Sequence, residues 1–185
     1  GEAAHGLLAR DGGRLDVLDA SIRASGQDSS ALHAQGRADA LTEISLGNSV
    51  LSNASGATLG VDGVADLELD QVIAGGSGQW LQVDALDEAG VVTPGLANID
   101  LGKSLVSGSA LTEVGSASHL NMRDTSFWQL TGDSNLTSLR NDASLIDFSA
   151  PLAGAFKRLT VHDYHGANGT IALNTHLYDD APPSD

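Results

Sequence analysis

The chain has 185 residues, 22 of them Gly, with 4% aromatic residues and no Cys. Nine Lys and Arg stand against 24 Asp and Glu, a formal net charge of -15. That balance offers no basic surface for nucleic-acid phosphates or for an anionic membrane, and it reads as a solvated exterior. The lack of Cys excludes a disulfide framework and a thiolate metal site, and no run approaches the roughly 18 apolar residues of a membrane-spanning helix.

The length suits one domain or one repeat array. Gly1–Arg10 has no long apolar run behind basic residues, so no signal peptide is expected there. Gly1 in place of Met fits an excised or processed piece.

In chain order, the first organisation is a degenerate repeat. Its element is apolar–x–apolar, a polar kink, a small or β-branched residue, then another apolar one. The copies are Leu15, Val17, Ser21, Ile22; Ile44, Leu46, Ser49, Val50; Leu67, Leu69, Val72, Ile73; Ile99, Leu101, Ser104, Leu105; and Leu120, Met122, Ser126, Phe127. Kinks such as Gly47-Asn48, Asp70-Gln71 and Gly102-Lys103 use residues that tolerate unusual backbone angles. Lead-ins precede the later copies at Gly63-Val64-Ala65, Gly95-Leu96-Ala97 and Gly115-Ser116-Ala117. Further strand-like runs lie at Ala57–Val61, Gln79–Val83 and Ala110–Val114.

Copies begin at 15, 44, 67, 99 and 120, a spacing of 21 to 32 residues. A variable period of that size with two or three short strands per turn predicts a parallel β-helix. Its coils stack ~4.8 Å apart, so the interior should be ladders of Leu, Ile and Val, with bulky rings fitting poorly. A helix is the rival for Leu15, Leu18 and Ile22, but Gly or Ser/Asn/Asp clusters break the chain nearly every ten residues.

From Trp128 the spacing tightens. Trp128–Leu130, Leu136–Leu139, Ser144–Phe148, Phe156–Val161 and Gly169–Leu173 read as strands between turns at Ala150-Pro151 and Gly166-Ala167-Asn168-Gly169. This predicts a compact β cap on the open end of the tube, which protects its last strand edges. The division expected is 1–127 for the coils and 128–185 for the cap.

Trp128, Asp133-Ser134-Asn135-Leu136, Leu139, Asp147-Phe148, Phe156-Lys157, Leu159-Thr160-Val161, Gly166, Gly169 and Ser184-Asp185 stand in the order found at the end of a known family. Over these 58 or so residues the chain resembles pertactin-like autotransporter passenger domains. The resemblance implies an all-β, right-handed parallel β-helix with a C-terminal β cap. It implies an autochaperone role for that cap, and type V secretion to the Gram-negative cell surface or release after cleavage. It also implies a partner, the parent protein's own C-terminal β-barrel translocator in the outer membrane. In the family a final strand and linker follow the Ser-Asp at which this sequence stops, so no membrane insertion is expected of the chain itself. It carries no Arg-Gly-Asp and no Pro-rich loop to support integrin-type adhesion.

The residues expected to build and fold the cap are Trp128, Leu136, Leu139, Phe148, Phe156, Leu159, Val161, Gly166 and Gly169. Trp128 should cover the last loose coil, with Phe148, Phe156 and Leu159 packed beneath it. No catalytic, cofactor-binding or metal site is expected. His162 and His165 are three apart, so on a strand they point to opposite faces, and with Asp163 and His176 they read as exposed polar residues. Asp179, Asp180 and Asp185 lack the spaced carboxylates and turn Gly of a calcium loop. Gly75-Gly76-Ser77-Gly78 has no Lys and no helix behind it for a phosphate.

Two rivals stay open. The chain is a binding module if its β-helix face engages a host or bacterial surface receptor or self-associates. It is a polysaccharide-degrading enzyme if carboxylates converge about 5–9 Å apart. Asp16, Asp39, Asp66, Asp84 and Asp100 are spread one per coil, and only Asp66 and Asp100 follow equivalent lead-ins and might stack. A Ser-His-Asp triad has no nucleophile-elbow motif to rest on.

Overall fold

The computed structural model describes residues 4–152 and 154–174. His176, Asp179, Asp180, Pro182-Pro183 and Ser184-Asp185 lie outside the described residues. The described strands are β1 (Leu7–Arg10), β2 (Arg14–Leu18), β3 (Ser21–Ala24), β4 (Leu32–Gly36), β5 (Thr42–Gly47), β6 (Val50–Asn53), β7 (Leu59–Asp70), β8 (Ile73–Gly76), β9 (Gln79–Asp84) and β10 (Leu86–Glu88). They continue with β11 (Val91–Thr93), β12 (Leu96–Gly102), β13 (Leu105–Ser107), β14 (Ser109–Thr112), β15 (Ala117–Arg123), β16 (Phe127–Leu130), β17 (Ser134–Asp142), β18 (Leu145–Phe148), β19 (Leu159–Ala167) and β20 (Thr170–Ala172). The described residues hold no helix.

The strands stack as a parallel β-solenoid of about seven turns. One wall is β2, β5, the second half of β7, β12, β15, β17 and β19. The second is β3, β6, β8, β13, β16, β18 and β20. The third is β1, β4, the first half of β7, β9 and β14. Alternation along each strand puts every second side chain inside the tube.

Two interior columns follow the repeat read from the sequence. Leu15, Ile44, Leu67, Ile99, Leu120 and Leu139 stand in register, and so do Val17, Leu46, Leu69, Leu101, Met122 and Asn141. Full burial of each Leu, Ile or Val contributes about 1.5–3 kcal/mol. The kink after this wall takes a left-handed residue in every coil: Asp19, Asn48, Gln71, Lys103, Thr125, Ala143 and Asn168 all have φ between +45° and +67°.

The next residue is an inward corner, and it is usually Ser. The hydroxyls of Ser49, Ser104, Ser126 and Ser144 accept the N–H of Ala20, Val72, Ser104 and Ser126 in the coil before, at 2.9–3.1 Å. Each also donates to a carbonyl of its own coil, Gly47, Gly102, Arg123 and Asp142 respectively. This ladder satisfies backbone groups that the corner would otherwise strand in the interior.

Three expectations need correcting. The fourth apolar position points inward only in the first copy, at Ile22, and outward in those that follow: Val50, Ile73 and Leu105 are 43%, 51% and 40% exposed. Because the corner residue already faces inward, alternation turns its neighbour out, and the inner column is Ile22, Leu51, Ala74, Val106, Trp128 and Ile146. The lead-in at 115–117 is one residue out of step, since Leu96 pairs with Ala117. Large rings do fit the tube: Trp80 and Trp128 are both fully buried, with centroids 6.0 Å apart and planes at 76°.

The longest copy spacing has a local cause. β10 and β11 form an antiparallel hairpin outside the coils, turned by Ala89 and Gly90 at positive φ. Arg37, in the excursion after β4, reaches across to Glu88 of this hairpin at 2.9 Å.

Candidate functional site: the C-terminal coils and their clasp

The coils from Trp128 onward continue the same walls, and β16 begins one residue earlier at Phe127. Trp128 Nε1–H donates to the Gly108 carbonyl at 2.9 Å. Gly108 has φ +133°, and a Cβ there would sit 2.8 Å from Trp80 N, so this turn demands glycine.

Asp133-Ser134-Asn135-Leu136 joins the coils on either side. Asp133 accepts the Arg158 N–H at 2.8 Å. Ser134 Oγ accepts the Ala110 N–H at 3.1 Å and donates to Gly132 O. Asn135 accepts the Thr112 N–H at 3.2 Å and donates back to Thr112 O at 2.7 Å. Leu136 points inward and is buried. Between β14 and β17 the third wall is therefore bridged by side chains. Between β17 and β19 the backbone ladder resumes, from Ser134 opposite Leu159 to Asp142 opposite Ala167.

Leu139 is buried, while Phe148, Leu159 and Val161 are half-buried against the core. Phe156, expected beneath Trp128, is instead 47% exposed and lines a hollow of about 120 Å³ with Phe148, Lys157 and Leu173. It stands in the irregular stretch before β19, where no alternation directs it inward. The partner that does meet Trp128 is Trp80. Lys157 Nζ ties this stretch back by donating to Ser149 O at 3.0 Å and to Ala150 O.

The two glycines have separate reasons. Gly169 follows the left-handed Asn168, and a Cβ there would lie 2.4 Å from Asn141 Cγ. Asn141 itself stands fully buried in the Leu/Met column and donates to Thr170 O at 3.3 Å. Gly166 caps that column, opposite Asn141. In this last coil Tyr164 takes the place below Leu139 and is 49% exposed.

The outer surface of the first wall is the strongest rival. A groove of about 510 Å³ crosses it, lined by Glu43, Asp66, Glu68, Asn98, Asp100 and Asn121 among others. Asp66 and Asp100 do not stack: register sets Asp66 beside Asn98 and Asp100 beside Glu68. Asn98 donates to Asp66 at 2.7 Å, and Asp100 accepts from Asn121 at 2.7 Å and from Arg123 at 2.5 Å. Asp16 pairs with Arg14, whose hydrogen bond holds its carboxyl below the usual range. Asp39 stands on the exposed excursion, and Asp84 on the third wall. These groove acids are spent on amide and guanidinium partners.

His162 and His165 are exposed on β19, with His162 beside Asp163 at 3.1 Å. Among the described residues no three His, Asp or Glu side chains gather as ligands for a metal. Ser30, His33 and Asp62 line one cleft, but His33 Nδ1 has no hydrogen-bond partner there, Ser30 Oγ included.

Residues 134–185 match the family model described as Autochaperone Domain Type 1. The match opens at Ser134, the first residue of β17, and takes in β18, β19 and β20. It bears out the resemblance to the C-terminal part of a pertactin-like autotransporter passenger. No curated protein and no solved structure matches the chain.

Proposed function

We propose that this chain, a piece of an autotransporter passenger by its autochaperone domain, carries at residues 128–185 the template on which coils 1–127 fold. Its role is structural rather than catalytic. Folding outside the cell then supports passage of the remaining passenger through the outer membrane. The partner is the β-barrel translocator of the same full-length protein. The place is the Gram-negative cell surface, with the passenger retained there or released. The parent protein is a surface adhesin or virulence-associated protein, a reading by family analogy.

The supporting observation is the clasp at Asp133–Leu136. Ser134 and Asn135 present fixed donors and acceptors to the backbone of β14, while Asp133 holds the coil below. A coil in a solenoid cannot bury its inner face alone and forms on a neighbour already in place. A C-terminal coil that arrives with its own side-chain bridges gives the preceding coil both register and partners.

Pulse-labelled hydrogen exchange during refolding from guanidinium tests this. Amides of β16–β19 should become protected before those of β2–β6, and Asn135→Ala should delay β9 and β14 more than β17 and β19. Protection that starts in the N-terminal coils, or simultaneously everywhere, would refute the template.

A further inference from the structure

The start of the described chain is held to the solenoid by a pair of imidazoles. His5 precedes β1, and its ring stacks on that of His33 in β4, with centroids 4.0 Å apart and planes 22° from parallel. His33 is 8% exposed, and its Nε2 lies 3.1 Å from Asp62 Oδ2 in β7. Its Nδ1 is enclosed without a partner against Gly60, where a Cβ would come within 2.6 Å of it. His5 Nδ1 accepts the Ser30 N–H at 3.1 Å, so that nitrogen carries a lone pair and no proton. Around it, Ala4 N–H donates to Ser29 Oγ at 3.0 Å and Gly6 N–H to Ser30 O at 2.9 Å.

We propose that the His5–His33 stack is an acid-released latch that fastens the first coil to the second. A second proton on His5 removes the acceptor for Ser30 N–H. A second proton on His33 puts an N–H donor into a site with no acceptor, and with both rings charged the stack sets like charges against each other. Release frees β1, whose described partner is β4. The bared edge of β4 then presents unpaired N–H and C=O groups.

The charges facing the pair come from several elements. Asp62 in β7 favours a charged His5, and Asp28 in the loop before β4 and Asp84 in β9 line the same cleft. Burial, then His33, hold His5 below its ordinary value of 6.5, against the pull of Asp62. A His lowered on folding contributes stability that is present above about 6.5 and is lost as pH falls toward the folded value. Burial holds Asp84 above its ordinary 3.8, with Asp62 and Glu113 adding and the Gln82 hydrogen bond opposing. Acid relieves that penalty, so its sign is opposite, and its window runs from the raised folded value down to 3.8, where the unfolded carboxyl titrates. Below about 6.5 the first loss is that of His5.

The test is hydrogen exchange by mass spectrometry on the whole chain at pH 7.5 and 5.5, corrected for intrinsic exchange. His5→Asn is the comparison, since its Oδ1 can accept the Ser30 N–H and does not titrate. In the parent chain, residues 5–10 and 30–36 should lose protection several-fold at pH 5.5, while β17–β19 keep theirs. In His5→Asn the loss should vanish. No loss in the parent, the same loss in His5→Asn, or an equal loss in β17–β19 overturns the latch. An NMR titration of His5 in the parent chain stands independently of the variant: a midpoint at or above 6.5 also overturns it.

Discussion

Trp128 and Trp80 make a sharp pair of tests because they share a setting and differ in one bond. Both indoles are fully buried and meet edge to face. Trp128 Nε1–H donates to Gly108 O, whereas Trp80 Nε1 has no partner among the described residues. Trp128→Ala opens a cavity that costs about 3–5 kcal/mol, including the edge-to-face contact at about 0.5–1.5 kcal/mol. With a guanidinium slope of about 4 kcal/mol per M, the unfolding midpoint should fall by about 1 M. Trp→Phe at either site removes the same ring atoms, so the difference between the two isolates the hydrogen bond. Trp128→Phe also strands the Gly108 carbonyl and should cost about 1–3 kcal/mol more than Trp80→Phe, which removes a buried donor that bonds nothing. The assay is guanidinium unfolding followed by far-UV circular dichroism. Equal midpoints for the two Phe variants, or an unchanged midpoint for Trp128→Ala, would refute the reasoning.

Three further outcomes follow from single contacts. Ser126→Ala removes the acceptor for Ser104 N–H and the donor to the Leu101 and Arg123 carbonyls; thermal unfolding should show a loss of about 1–3 kcal/mol, against about 0.5 or less for the outward Ser107→Ala. Gly76→Ala would set a Cβ 2.0 Å from Asn53 O, while Gly90→Ala meets nothing within 4 Å, so denaturant titration should find the first far costlier than the second, which pays about 1–2 kcal/mol for its left-handed backbone. Arg123 bonds Asp100 and Asp124 and lies 3.6 Å from Glu68. Because this side chain is one-third exposed, Arg123→Ala should cost about 1 kcal/mol or less in low salt and less again in high salt, read from thermal midpoints.

The two inner columns of the first wall were legible because apolar–x–apolar survives in each coil up to Met122, with Leu, Ile, Val and Met occupying it without exception. The kinks were legible because Asn48, Gln71 and Lys103 stand between a short strand and a corner. After Ile22 the second wall was read one residue out of phase. A left-handed residue followed by an inward Ser breaks simple alternation, and hydrophobicity alone favours Val50, Ile73 and Leu105 over the buried Ala74. The meeting of Trp80 with Trp128 was not legible, since 48 residues separate them and their contact depends on how much chain each intervening turn consumes. The hairpin from Leu86 to Thr93 adds to that length without adding a coil. Asp133–Leu136 was legible as a motif but not as a mechanism, because its hydrogen-bond partners are backbone groups of Ala110, Thr112 and Arg158, which carry no side-chain signature.

In a stacked solenoid each coil is stabilised chiefly by its neighbours, and folding can nucleate in any coil that is well enough held. The corners of this chain differ. The first described corner is Ala20, which offers no hydroxyl of its own and donates to that of Ser49. From Ser104 onward three consecutive serine corners bond coil to coil, Trp128 fills the interior, and Ser134 and Asn135 add side-chain bridges. Such bridges specify register in addition to the apolar columns, which alternation ties to the inner face. From Ser104 to Arg158 these bridges recur coil after coil, which is the arrangement that the proposed template requires.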